Sequence, residues 1–90
     1  MVSVLHLSVI VPVYNVAPYL RACLDSLAAS PGHCWEAILI DDGSLDDCPA
    51  ICEEFASRDS RFTVIHQKNR GVSAARNAGL EAAKGEWMVC

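Results

Sequence analysis

The 90 residues predict an α/β domain, an open parallel sheet with helices on both faces. Two observations carry that expectation. Short β-branched apolar runs recur along the chain, and the stretches between them repeat their apolar residues at helical spacing. A third concerns "LIDDGSLDD", residues 39–47, where a buried run passes straight into four acids, Asp41, Asp42, Asp46 and Asp47. Structure alone gives little reason for that crowding, whereas a ligand at the end of a strand does.

Residues 7–13, "LSVIVPV", form a continuous β-branched run, the pattern of a strand covered on both faces. Pro12 near its end has no N–H, so the ladder stops there or leaves that side open. Residues 14–30 carry Tyr19, Leu20, Cys23, Leu24 and Leu27 at helical spacing. Asn15 can cap this helix, Pro18 suits its first turn, and Pro31 and Gly32 end it. Residues 35–41, "WEAILID", form the second strand. Asp46 or Asp47 can cap the next helix, which has Pro49 in its first turn, Ile51, Cys52 and Phe55 on one face, and its end near Ser57. Residues 61–67, "RFTVIHQ", form a third strand, and "NRG" a turn. Residues 72–85 form an Ala-rich third helix ending at Gly85, and "EWMVC" opens a fourth strand. The order β-α-β-α-β-α-β implies a Rossmann-like parallel sheet in one domain.

Composition narrows the classes. At 52% hydrophobic and 20% charged, the chain is globular rather than disordered. A net charge of −4 excludes the basic footprint of a nucleic-acid binder. No apolar run is long enough to span a bilayer. The N-terminal "MVSVLHLSVIVPV" lacks a basic region and reads as a strand, not a signal peptide. Five cysteines, an odd number, two of them inside apolar helical patterns, point to reduced thiols and a cytoplasmic protein. Cys48 and Cys52, four apart, can face one zinc ion, with His33 and Cys34 as a loose second pair; plain packing is the preferred reading.

Ligands on open parallel sheets sit outside the carboxyl ends of the strands. "PVYN", "DDGS" and "HQKN" all fall there. Asp42, as an acceptor-only carboxylate, can take an imide N–H of a base or a ribose hydroxyl; Asp41 and Asp42 are read as ligand groups, Asp46 and Asp47 as helix-terminal charge. Tyr14 can lie flat under a planar base or pack as a half-buried core ring. Asn69, Arg70 and Arg76 bring amide and guanidinium groups to the rim, and a guanidinium can fork onto phosphate oxygens. Arg70 reads as a solvated turn residue; Arg76 sits among small residues that allow close approach. His66 is rim or core and receives no catalytic role. No Gly-x-Gly-x-x-Gly follows the first strand, which disfavours a dinucleotide fold of the usual kind.

"SVIVPVYN", "ILIDDGSLDD" and "NRGVSAARNAGLEAAKGEWMVC", in that order and across nearly the whole chain, resemble family 2 glycosyltransferases of the inverting GT-A type. The resemblance implies a nucleotide-sugar-binding half, with a UDP-sugar the expected donor and a carbohydrate or glycoconjugate acceptor. It implies that Pro12 and Tyr14 contact the base with Asn15 beside them, that Asp42 accepts from the base with Asp41 in support, and that Asn69 and Arg76 reach the base or diphosphate. Family members carry an Asp-x-Asp motif after the fourth strand that holds Mg²⁺ or Mn²⁺. The sequence reaches Cys90 before that motif, so residues 1–90 are read as one partial domain, with metal ligands and catalytic base outside it. The intact enzyme is expected in the cytoplasm or at the inner face of the membrane. Alternative readings are a nucleotide-binding fragment without activity and a fragment that self-associates through its apolar fourth strand, since an open edge invites pairing.

Overall fold

The computed structural model describes residues 7–32, 34–84 and 86–89, the last four as backbone. Its elements are β1 (Leu7–Val13), α1 (Ala17–Ala28), β2 (Trp35–Asp42), α2 (Cys48–Arg58), β3 (Phe62–Gln67), α3 (Val72–Ala82) and β4 (Glu86–Val89). The strands form one parallel sheet in the order β3-β2-β1-β4. The chain thus steps outward from β1 to β3, then returns to the other side of β1. Such a reversal opens a crevice at the carboxyl ends of the central strands. β4 lies at one edge, as the sequence anticipates, and β3 at the other.

Period-two alternation divides the sheet's residues between two cores. Val9, Val11 and Val13 of β1 and Ala37 and Leu39 of β2 pack with Leu20 and Leu24 of α1 and Ile51, Cys52 and Phe55 of α2. Ile10, Ile38 and Ile40 face the other way and pack with Ala75 of α3. Helices therefore cover both faces, and both central strands are buried on both sides. Cys48 and Cys52 are fully buried members of the first core.

α3 seats itself closely on the sheet through Gly79. A Cβ at that position would meet Ile10 Cγ2 and would lie 3.0 Å from Ile40 Cδ1. At the opposite end of the sheet, Arg61 closes α1. Its guanidinium donates to the carbonyls of Ala28 (3.0 Å), Ser30 (2.6 Å) and Gly32 (2.9 Å), pairs with Asp59 (2.7 Å) and lies 4.1 Å from the Trp35 ring centre. The Ala28 carbonyl is an orphan acceptor of the helix end and those of Ser30 and Gly32 belong to the turn after it, so one cation answers the helix terminus in charge as well as in hydrogen bonding.

Several local expectations change. α1 begins two residues beyond Asn15, its N-cap position is Val16, and neither residue caps it with a side chain. Asn15 instead adopts φ 51°, a left-handed conformation that asparagine tolerates. α3 stops at Ala82, because Ala83 is extended. β2 extends one residue further, through Asp42, because that residue stays in register with Gln67 of β3. His6, His33, Gly85 and Cys90 lie outside the described residues.

Gly79→Ala tests the seating of α3. The methyl adds about 1 kcal/mol of helix propensity, but overpacking costs about 1–3 kcal/mol. Cγ2 of Ile10 is held on a β-carbon and cannot swing aside, so a net loss of about 1 kcal/mol is expected. A fall in the urea midpoint at constant slope measures it; an unchanged or higher midpoint would refute the close seating.

Candidate nucleotide-binding rim

A cavity of about 360 Å³ opens at the carboxyl ends of β1 and β2, beside the start of α3. Its walls include Pro12, Val13 and Tyr14 from the end of β1, Asp42 from β2, Asn69 and Gly71 from the β3–α3 turn, and Val72 and Ala75 from α3. Four of the seven expected site residues, Pro12, Tyr14, Asp42 and Asn69, therefore share one wall. Asn15, Asp41 and Arg76 do not line it. Tyr14 keeps 45% of its surface exposed, so its ring is free to receive a partner.

Asp41 and Asp42 continue the alternation of the apolar residues before them and so point to opposite faces. Asp42 turns towards α3 and the cavity. Its Oδ1 accepts from the Gln67 side-chain amide (2.9 Å) and the Arg70 N–H (2.9 Å), and its Oδ2 from the Gly71 N–H (2.9 Å). Burial works against its charge, yet the Arg70 N–H, the Gln67 amide and the Gly71 N–H together hold its carboxyl below the usual carboxylate range. An ionised carboxylate has about four lone-pair sites. Three of them are filled within the chain, which leaves one on Oδ2 for a ligand.

Asp41 turns towards α2. Its Oδ1 accepts from the Ser44 N–H (3.0 Å), and its Oδ2 meets His66 Nδ1 (3.0 Å). The other ring nitrogen, Nε2, lies 2.6 Å from Glu53 Oε1 of α2. His66 is thus a rim residue held between two acids, and its pairing with Asp41 was not foreseen. The pairing follows from register, since His66, the penultimate residue of β3, lies directly beside Asp41 of β2.

The turn after β2 is fastened to the turn after β1. The Asn15 N–H donates to Ser44 Oγ (3.1 Å), and the Leu45 N–H donates to Asn15 Oδ1 (2.8 Å). Asp46 serves two helix starts: Oδ2 accepts from the Ala17 N–H (3.0 Å) and Oδ1 from the Cys48 N–H (3.0 Å). Those N–H groups hold its carboxyl low, the Cys48 N–H foremost. Asp47 occupies the N-cap position of α2 but makes no capping bond, so the cap falls to Asp46. Gly43 (φ 73°) lets this turn pass the next one; a Cβ there would lie 2.9 Å from the Asn69 nitrogen. Arg76 is exposed on α3, one residue after Ala75 of the cavity wall, with no hydrogen bond or ion pair among the described residues.

Burial pushes the Cys52 thiol up to about 12, so it is a packing group rather than a nucleophile or ligand. Among the described residues no three His, Cys, Asp or Glu side chains converge to hold a metal ion.

Residues 8–90 match the family model described as Glycosyl transferase family 2. EpsH of Bacillus subtilis (strain 168) is 49% identical over 82 residues, which are 91% of this chain and 24% of that protein. TarS 1–349 of S. aureus, solved in complex with UDP, aligns with a TM-score of 0.84 and 31% identity over 96% of this chain and 27% of that one. Mannosyltransferase PcManGT from Pyrobaculum calidifontis, in complex with GDP-Man and Mn²⁺, aligns with a TM-score of 0.77 and 29% identity, over 87% of this chain and 24% of that one. The chain spans about a quarter of the length of each.

The two acids flanking His66, Asp41 first, raise its pKa above the ordinary 6.5. A raised folded-state value means that the charged pairing stabilises fully below pH about 6.5 and is lost as pH rises through the higher folded value. His66→Asn retains a donor towards Asp41 and removes the titrating ring. The melting temperature of the native chain should exceed that of His66→Asn by more at pH 6 than at pH 8. A gap independent of pH would show that the imidazolium adds nothing.

Proposed function

The chain belongs to glycosyl transferase family 2, and we propose that it supplies the donor-nucleotide-binding half of an inverting GT-A glycosyltransferase. One observation carries this reading: Pro12, Tyr14, Asp42 and Asn69, from three separate segments, meet at one cavity on the carboxyl rim of a parallel sheet. Its volume, about 360 Å³, falls within the range of small-ligand pockets. In this reading the Tyr14 ring and Pro12 take the base, and the remaining Oδ2 lone pair of Asp42 accepts an imide N–H. Asn69 lies alongside, and Arg76 pairs with the diphosphate. Asn15 and Asp41 act one step back by holding the turns that carry Tyr14 and Asp42.

The donor favoured is a UDP-sugar, in line with the UDP complex of TarS. The reaction of the whole enzyme is attack by an acceptor hydroxyl of a carbohydrate or glycoconjugate on the anomeric carbon. The nucleoside diphosphate leaves, and the configuration inverts. The Mn²⁺ in the PcManGT complex supports Mg²⁺ or Mn²⁺ as the cofactor of the whole enzyme. The described residues provide no converging set of ligands for it, and none is assigned to it.

Calorimetric titration with UDP and with uridine tests the reading. UDP should bind with Kd about 1 mM or tighter, about −4 kcal/mol; no binding by a folded chain would overturn it. Asp42→Ala should weaken UDP by about 1–3 kcal/mol, with circular dichroism confirming that the variant folds, since it also strands the Arg70 and Gly71 N–H groups. Unchanged affinity would remove Asp42 from the site. Arg76→Ala should weaken UDP more than uridine; equal losses would show that it does not touch phosphate.

A further inference from the structure

His66 does not line the cavity, yet it is joined to it by an unbroken chain of hydrogen bonds. Nδ1 lies 3.0 Å from Asp41 Oδ2, and Asp41 Oδ1 holds the Ser44 N–H at 3.0 Å. Ser44 Oγ in turn accepts the N–H of Asn15 at 3.1 Å, and Asn15 follows Tyr14, which walls the cavity. Asp41 is only 4% exposed, so its carboxylate cannot exchange these partners for bulk water. Asn15 sits in a left-handed conformation, φ 51°, fixed by its N–H to Ser44 Oγ and by the Leu45 N–H on its Oδ1.

We propose that His66 is a positioning residue for the cavity: through Asp41 and Ser44 it holds the turn that carries Tyr14 in its binding geometry. The part of this proposal that concerns nucleotide affinity rests on the donor-site reading above; the mechanical part does not. A carboxylate can only accept, so Nδ1 carries the proton towards Asp41. Only the imidazolium donates from both nitrogens, to Asp41 of β2 and to Glu53 of α2. Glu53 is the exposed partner, with 61% of its side chain in solvent, so it is the one released when the ring is neutral. The link to Asp41 survives in the neutral ring, and positioning should therefore persist across pH 6 to 8.

The test uses the ¹⁵N-labelled chain, with amide exchange and UDP titration read from the same spectra. His66→Leu removes the donor, His66→Asn keeps one near the Nδ1 position, and Ser44→Ala cuts the relay at its far end without touching a charge. In His66→Leu the Ser44 and Asn15 amides should exchange faster than in the native chain, and UDP should bind about five- to tenfold more weakly, a loss the size of one ordinary hydrogen bond. His66→Asn should restore both to within about twofold of the native values, well inside the fivefold loss expected above. Ser44→Ala should speed exchange at Asn15 and lower affinity in the same way, which decides the matter if His66→Leu does not fold. Native-like exchange in His66→Leu or Ser44→Ala, or failure of asparagine to rescue, would overturn the proposal. Faster exchange with unchanged UDP affinity would also overturn it as a positioning role. A native chain that exchanges slowly at Ser44 but binds no UDP would instead sink the donor-site reading and leave the relay standing.

Discussion

Two adjacent carboxylates lie buried at the end of β2, and the whole rim is arranged around satisfying them. An ionised carboxylate taken out of water costs several kcal/mol unless donors replace the solvent. Strand alternation sends Asp41 and Asp42 to opposite faces, so one set of donors cannot serve both. Asp41 draws on its own turn, through the Ser44 N–H, and on His66 of β3. Asp42 draws on Gln67 and on the Arg70 and Gly71 N–H groups of the next turn. Each demand pins a loop. Loops that would otherwise be the mobile part of an α/β sheet become the ordered walls of a cavity.

The turns reach these donors only because the backbone can be bent to suit. Gly43 takes a left-handed conformation and passes so close to Asn69 that a side chain would collide with its backbone nitrogen. Asn15 takes a left-handed conformation too and uses its side-chain oxygen to accept the Leu45 N–H. The two turns are thereby stitched in both directions. Asp46 adds a third stitch by accepting from the first N–H of α1 and the first N–H of α2. One acid thus does the work of two helix caps, which is why neither N-cap residue needs to.

Much of this was legible in the sequence. The element order, the two-sided burial of the strands and the collection of polar residues on one rim follow from β-branched runs and helical spacing. The likeness in three ordered motifs carried the family, and the match over residues 8–90 bears it out. What escaped were contacts set by register and by distance along the chain. Whether Asp41 meets His66 depends on β2 and β3 pairing at this offset and no other, and a one-residue slip would have turned His66 to the other face. Arg61 closes a helix that ends about thirty residues before it, and nothing local to "SRFTV" announces that. Asn15 looked like a cap because capping is the commonest use of asparagine before a helix. Its true use needed a partner turn that local reasoning does not supply.

The saturation of Asp42 has a consequence for how the cavity recognises anything. With three acceptor positions filled by the chain, the carboxylate is already fixed in place and oriented, and a ligand N–H finds a single open position. Binding there requires no rearrangement of the acid, so the bond it forms sets direction as well as affinity. Tyr14 and Arg76 are the opposite case. Both are exposed, and ordering each such side chain costs about 0.5–1.5 kcal/mol on binding. The rim therefore divides its labour: Asp42 is a rigid acceptor already fixed by the chain, and Tyr14 and Arg76 are adaptable groups at its edge. A ligand without a donor at that position would leave the last acceptor site of the buried Asp42 unpaired, a loss that the exposed side chains are poorly placed to make good.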